Sequence, residues 1–414
     1  MRLSVSPRFD QFGSVSIHEI QRVIELDAGS GRSTASSLTV SRDDFEDVES
    51  RMAIIILCMN EEFKTIESVF SGVPHDCLII LVSNSSRGRF DRYATEVEIL
   101  RNYCRVADRS AIAIHQKDPG AAKAFAAAGA PGLVAPDGLV HNGKGEGMLM
   151  GMALAAIVGR EYLGFVDADN YIPGSVLEYC KSYAAGLHLA ESEDAMVRVS
   201  WSSKPKARDG RLMFDRKGRS SRVVNEWLNG LLQQFSGYGT ESITTGNAGE
   251  HAMTVSLAKK LRMASGFAVE PYEYLFLLER MGDQAECEPE KPHHDSDLDS
   301  DLDSDLIAAA IAPEPNDNSQ VHIYQIETRN PHLHDNKGDE HVSDMRAQAL
   351  NMLYHSPLAP PSMKKSLLQW MQDEKVLDEG ELPPRERVYP ALEDLDMDAL
   401  CVHLSEEAQT FKKI

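Results

Sequence analysis

From residue 52 onward the chain alternates short, wholly apolar runs with longer stretches of helical spacing. Residues 53–58, 78–82, 111–114 and 162–166 are four such runs, rich in Ile, Leu and Val. A short apolar run without polar interruption reads as a strand buried on both faces. Between them, residues 63–70, 91–104 and 146–158 carry the spacing of helices. Strands that alternate with helices predict a parallel sheet, with ligands held beyond the C-terminal ends of the strands. Farther along, 195–201 and 322–326 predict strands, while 223–235, 255–263 and 271–281 predict helices. One amphipathic stretch (17–26) and a Ser/Gly/Thr-rich linker (29–41) precede the first run. Beyond Leu353 a Pro-punctuated tail carries helical patterns at 363–372 and 392–411.

A length of 414 residues is too great for one small core and fits a large α/β domain with appendages, or two domains. The formal charge of −22 argues against nonspecific binding to nucleic acid or to an anionic membrane, both of which attract cationic patches. That charge is concentrated: eleven acidic side chains lie between Ala285 and Asn318, against Lys291 alone. This segment repeats Asp-Ser-Asp-Leu three times (295–306), and its like-charge repulsion and low complexity predict a disordered surface insertion. Outside it the protein is only moderately acidic, so anionic substrates stay open. The six cysteines form no Cys-x-x-Cys pair and predict reduced thiols. The N-terminus has no apolar core of a signal peptide, and no apolar run approaches the ~20 residues of a membrane helix. These features together predict a soluble, cytoplasmic protein.

The clearest chemical signal is Asp167-Ala168-Asp169, directly after the apolar run that ends at Val166. Two carboxylates two residues apart at a strand end can aim oxygens at one divalent ion and at a ribose, and Mg²⁺ or Mn²⁺ bridging a diphosphate needs such hard ligands. Asp-x-Asp also recurs by chance, as within 295–305, where no strand precedes it and solvated charge is the reading. The bland alternative at 167–169 is an Asp-capped turn. Lys144, in Gly143-Lys144-Gly145-Glu146-Gly147 before a helix, suits a donor phosphate, because glycines allow close backbone approach and the helix start offers free N–H groups. A flexible glycine loop is the alternative there. Gly218-Arg219-Ser220-Ser221-Arg222 sets another cationic loop before a helix, suited to a phosphate or carboxylate, or simply exposed. His332 and His334, two apart in extended chain, point the same way, and either could complete a metal sphere begun by Asp169.

Taken together, the ordered blocks resemble the mannosyl-3-phosphoglycerate synthase family of retaining GT-A glycosyltransferases. The resemblance runs from about Arg8 to His355 and rests on residues 14–19, 82–86, 115–118, 143–148, 164–170, 247–251, 266–271 and 327–334. It implies transfer of mannose from GDP-mannose to the 2-hydroxyl of 3-phosphoglycerate, with Mg²⁺ (or Mn²⁺ or Co²⁺) as cofactor and a homodimer as the assembly. It further implies that Asn60, Glu61 and Ser83 line the guanosine pocket, with Gln116 and Lys117 nearby. Asp167 would face the ribose and mannose, and Asp169 would bind the metal together with His334 or His332, His334 being favoured. Asn247, Glu250 and His251 would surround the mannose, making Asp167, Glu250 and His251 the candidate catalytic residues. Gly218, Arg219 and Ser221 would hold the acceptor phosphate. The exit of the first strand departs from the family: it reads Leu57-Cys58-Met59-Asn60-Glu61, where relatives usually have Pro-Thr-Arg-Asn-Glu. The rivals are a glucosyl-3-phosphoglycerate synthase and a nucleotidyltransferase; the latter normally opens with a glycine-rich basic loop that is missing here. No nucleophile is evident, which favours front-face attack.

The organisation expected is α/β: a GT-A-like, mostly parallel sheet flanked by helices. An N-terminal leader (1–50) packs on a catalytic domain (51–283) with a donor half (51–170) and an acceptor half (171–283). The disordered acidic insertion (284–318) comes next. The chain then returns to the catalytic domain (319–356) and ends in a helical C-terminal appendage (357–414).

Overall fold

The computed structural model describes residues 2–5, 10–22, 37–201, 203–208, 211–215, 218–282, 320–333 and 339–414. The acidic insertion, His334 and most of the linker expected at 29–41 lie outside the described residues. Four short strands open the chain: β1 (Arg2–Val5), β2 (Asp10–Phe12), β3 (Val15–Arg22) and β4 (Ser37–Thr39). Helix α1 (Arg42–Ser50) starts at a capping box, in which Ser41 and Asp44 exchange side-chain-to-backbone hydrogen bonds.

The apolar runs then form the centre of the sheet. They are β5 (Met52–Cys58), β6 (Leu78–Ser83), β7 (Ala111–His115), β8 (Tyr162–Asp167) and β9 (Asp194–Ser200). Between them run α2 (Phe63–Gly72), α3 (Arg92–Ala107), α4 (Pro119–Ala127), α5 (Lys144–Ile157) and α6 (Pro173–Leu189). In β5, Ala53 and Ile55 pack into one apolar layer and Ile54 and Ile56 into the other, which is why the run has no polar position. Truncating one such isoleucine to alanine typically costs about 2–5 kcal/mol. Helices α4 and α6 were not foreseen, for related reasons. Helix α4 is alanine-rich with little contrast between faces, and α6 is buried at eleven positions, leaving no polar stripe to reveal a period.

The second half contributes a hairpin, β10 (Lys204–Arg208) with β11 (Arg211–Asp215), and helix α7 (Arg219–Ser236). After it come β12 (His251–Thr254), α8 (Val255–Lys260), β13 (Met263–Ala264), α9 (Val269–Met281) and β14 (Val321–Glu327). The chain ends through α10 (Asp339–His355), α11 (Pro361–Asp373), β15 (Val388–Tyr389), α12 (Met397–Glu407) and β16 (Lys412–Lys413).

The main sheet has twelve strands in the order β16-β7-β6-β5-β8-β12-β9-β14-β3-β1-β4, with β2 beside β3. From β7 to β3 every strand runs the same way except β12, which is antiparallel to both β8 and β9. This is the mostly parallel sheet flanked by helices that the alternating pattern predicts, in keeping with the GT-A-like fold that the resemblance implies. The order reverses between β5 and β8, and the C-terminal ends of those two strands open a crevice. The segment expected as a helical appendage also adds a strand, since β16 pairs with β7. Asp118 fixes that junction: it caps α4 through the N–H groups of Gly120 and Ala121 and accepts from the Thr410 N–H and hydroxyl. Gly120 lets α12 pass close, because a Cβ there would lie 1.9 Å from the Glu407 carbonyl oxygen. Among the described residues, no helix is long and apolar enough to cross a membrane.

Candidate active site

Strand β8 delivers Asp167 to the crevice and turns at once. The turn is held by Asn170, whose N–H and side-chain amide both donate to the Asp167 carbonyl, and by the Ala168 N–H, which donates to Leu57 of β5. Across the crevice, Lys144 is the first residue of α5, and its N-cap Gly143 provides no side-chain cap. The Lys144 ammonium sits 2.9 Å from Asp167 Oδ2 and 2.9 Å from Glu270 Oε1. Burial disfavours this charge, but Asp167, Glu270 and Glu250 outweigh it and raise the lysine well above its usual range. Lys144 is therefore a fixed cation tying the two sides of the crevice together, in addition to marking an uncapped helix start. Gly249 makes room for the pair: a Cβ there would stand 2.7 Å from both Asp167 Oδ2 and Lys144 Nζ.

These residues line a cavity of about 570 Å³. Of the residues singled out from sequence, Glu61, Gln116, Lys144, Asp167, Asp169, Gly218, Ser221, Asn247, Glu250 and His332 all line it. Gln116 Nε2 donates to the carbonyls of His141 and Gly143, which holds the loop leading to Lys144. Glu250 is buried, and Asn170 Nδ2 donates to its Oε1 at 2.8 Å. Burial, then repulsion from Asp167, pushes Glu250 up to about 8 against the pull of Lys144. Both effects favour the neutral carboxyl over the carboxylate. Asn247 donates to Ser220 Oγ, while its own Oδ1 is buried without a partner.

Other sequence candidates are not among the described residues that line this cavity. Asn60, at φ +67°, bridges the exits of β5 and β6: its N–H donates to Ser85 Oγ and its Oδ1 accepts from the Ser86 N–H. Ser83 is fully buried and donates to Glu96. Lys117 reaches the Val140 carbonyl and lines a neighbouring cavity with His115 and Arg87. His251 is fully buried, with Nδ1 against the Ala248 carbonyl and Nε2 3.1 Å from Glu273 Oε1, and it does not border the cavity. Arg219 is the first residue of α7, and its side chain, like the whole of His334, lies outside the described residues.

Several residues enter that the sequence patterns did not single out. Glu270 pairs with Lys144; its place in the first turn of α9, next to Pro271, marks a helix start and could have drawn notice. Trp201 and Lys204 line the same cavity, the ammonium lying 4.9 Å from the indole centroid. Arg198 of β9, wholly buried, donates to the carbonyls of Thr245 and Glu270 and pairs with Glu273. It thereby supports the loop that carries Asn247, Gly249 and Glu250.

A cation could be held by the carboxylate of Asp169 and the imidazole of His332, both in the cavity wall. His332 stacks on Trp201 with ring centroids 4.2 Å apart, and its Nδ1 is 3.0 Å from the Tyr179 hydroxyl. A ring nitrogen engaged in this way orients the imidazole, as is usual for metal-binding histidines. Among the described residues no group of three or more His, Cys, Asp or Glu could hold a metal ion. A metal here would thus need ligands from a bound molecule or from residues beyond those described.

The sequence model of the family described as mannosyl-3-phosphoglycerate synthase (osmo_MPGsynth) matches residues 5–404. Mannosyl-3-phosphoglycerate synthase of Pyrococcus furiosus is 39% identical over 388 residues, covering 94% of this chain and 93% of that protein. The Aeropyrum pernix protein of the same name is 34% identical over 391 residues, with the same coverage of both chains. This chain belongs to the mannosyl-3-phosphoglycerate synthase family. Among solved structures, glucosyl-3-phosphoglycerate synthase from Mycobacterium tuberculosis, in complex with Mn²⁺, uridine diphosphate and phosphoglyceric acid, aligns at a TM-score of 0.48 and 16% identity, covering 84% of this chain and 94% of that one. Four of the blocks that carry the family resemblance, 143–148, 164–170, 247–251 and 266–271, reach one cavity.

Proposed function

We propose that this protein transfers mannose from GDP-mannose to the 2-hydroxyl of 3-phosphoglycerate with retention of configuration. The observation that carries the reading is the meeting of two kinds of anion subsite in one cavity. One is the Asp167-Ala168-Asp169 turn facing the uncapped start of α5; the other is the start of α7 at Gly218, with Ser220 and Ser221. A nucleotide diphosphate suits the first and a phosphorylated acceptor the second.

Asp169 and a histidine would hold Mg²⁺, or Mn²⁺ or Co²⁺, a hard-oxygen and imidazole set that fits those ions. When bound, the ion would neutralise charge on the departing diphosphate. Asp167, fixed by Lys144, would orient the ribose and sugar, with Glu61 toward the base. Asn247 and Glu250, the latter in surroundings that favour its neutral acid, would stand beside the sugar hydroxyls. Asp167, the carboxylate that would face the sugar, is held by Lys144, and front-face attack is favoured. The expected setting is the cytoplasm, supported by free thiols at all five described cysteines, and the expected assembly is a homodimer.

The deciding experiment compares GDP-mannose with GDP-glucose and UDP-glucose, each with 3-phosphoglycerate and Mg²⁺, and reads the product's anomeric configuration by NMR. Preference for a glucose donor would make this a glucosyl-3-phosphoglycerate synthase. Arg219→Ala is expected to raise KM for 3-phosphoglycerate roughly tens-fold, as loss of a charge-assisted phosphate contact should, with little change for GDP-mannose. Equal shifts in both would assign Arg219 to the donor or to the scaffold. His332→Ala is expected to raise the Mg²⁺ concentration for half-maximal rate by about ten-fold. If His334→Ala alone does so, the ligand is His334 and His332 shapes the wall.

A further inference from the structure

The protein groups proposed for the metal, Asp169 and His332, come from separate parts of the sheet. Asp169 follows β8 and His332 follows β14, with β12 and β9 lying between those strands. A ligand serves an ion only if its donor atom is held to within about 0.5 Å, so the span between the two must be fixed. Helix α6 reaches both sides. Its first residue, Pro173, comes four positions after Asp169 in the chain. Its Ser175, Glu178 and Tyr179 share one face, being spaced i, i+3 and i+4.

That face grips the chain just ahead of His332. Glu178 is only 5% exposed, and its Oε1 accepts from the Arg329 N–H at 2.9 Å. Its Oε2 accepts from the Asn330 N–H at 2.7 Å and from the Asn330 side-chain amide at 2.8 Å. Ser175 Oγ donates to the Pro331 carbonyl, and the Tyr179 hydroxyl meets His332 Nδ1. The His332 N–H itself donates to the Ser203 carbonyl. The stack on Trp201 and the Tyr179 hydroxyl set the tilt of the imidazole, whereas Glu178 sets where its backbone stands. An amide could not replace the carboxylate there. Whichever way it turned, a glutamine would set its own NH₂ against an N–H of the loop.

We infer that Glu178 is a positioning residue for the metal, holding His332 where it can share one ion with Asp169. The inference rests on the metal set of the proposed function. The test measures Mn²⁺ binding with GDP present, from the EPR signal of the free ion and corrected for Mn²⁺ bound by GDP alone. It compares the wild type, Glu178→Gln, His332→Ala and the double variant. Glu178→Gln should weaken Mn²⁺ about ten-fold or more, the scale on which groups behind metal ligands act. In the His332→Ala background it should add less than about two-fold, because a positioning residue has no effect once its ligand is gone. Far-UV circular dichroism reports whether each variant is folded. Should Glu178→Gln fail to fold, Asn330→Ala takes its place, removing one donor from the loop side, with an expected weakening of roughly three-fold. Unchanged Mn²⁺ affinity in the variant used, equal losses with and without His332, or wild-type affinity in His332→Ala would each make Glu178 a cap for the loop alone and overturn the inference. A wild type that binds no Mn²⁺ beyond that held by GDP overturns the proposed metal set as well.

Discussion

Asp169→Ala is expected to lower the transfer rate on the order of 10³-fold or more, the scale set by removing a group that stabilises charge developing on a leaving diphosphate. The fold should survive. Asp169 lies in the cavity wall, only 8% exposed but among other acids, and its charge adds to the repulsion felt by Glu250. Removing it takes away a like charge without opening a void in an apolar layer. The unfolding midpoint of the variant should therefore equal or exceed that of the wild type. Chelation gives the companion measurement: activity in EDTA equal to that in Mg²⁺ would reject a metal at this turn, whatever the variant does.

Arg198→Met should act in the opposite way, on stability first. Arg198 donates to Thr245 and Glu270, and its guanidinium lies 4.7 Å from the Tyr274 ring centroid. Its partner Glu273 is equally buried; burial alone would raise that carboxyl, but His251 and then Arg198 outweigh it and hold it below the usual carboxylate range. Taking away the guanidinium strands a buried carboxylate and two carbonyls. Breaking one side of such a pair costs about 3–5 kcal/mol, to be read from urea unfolding. Replacing Glu273 by Met in the same chain should recover part of that loss, because the stranded charge goes too. A single-variant loss under about 1 kcal/mol would mean that the pair does little for folding.

The contrast between these residues shows what a one-dimensional pattern can carry. Asp167 and Asp169 are conspicuous because an apolar strand ends beside them, and Lys144 because glycines surround it before a helix. The central strands were legible for the same reason: burial on both faces leaves nothing polar in β5 and only the terminal Ser83 in β6. Arg198 leaves no such trace. It is one cation inside β9, and its partners come from the 245–250 loop and from α9, more than forty residues away. Lys204 is equally unmarked, since its hairpin is placed by pairing with β11 and not by any period. Strand β12 is only four residues long, caught between a glycine-bearing loop and α8, too short for alternation to declare itself. His251 misled in a different way. The motif around it correctly locates the wall, but the ring turns inward to Glu273 and away from the cavity.

The position of β14 has a consequence for how the chain folds during synthesis. Its partners are β9 on one side and β3 on the other, with Val321 registered against both Asp194 and Val15. Strand β3, with β1, β2 and β4 attached, joins the rest of the sheet through β14. On the ribosome these first strands must therefore wait for some 300 further residues, roughly 15–60 s at ordinary elongation rates. Through that interval β3 has an unpaired edge, the kind of edge that recruits other chains. Contacts so distant in sequence also slow the final closure. The early strands of this enzyme are thus the part most in need of chaperone cover, although they lie far from the crevice between β5 and β8.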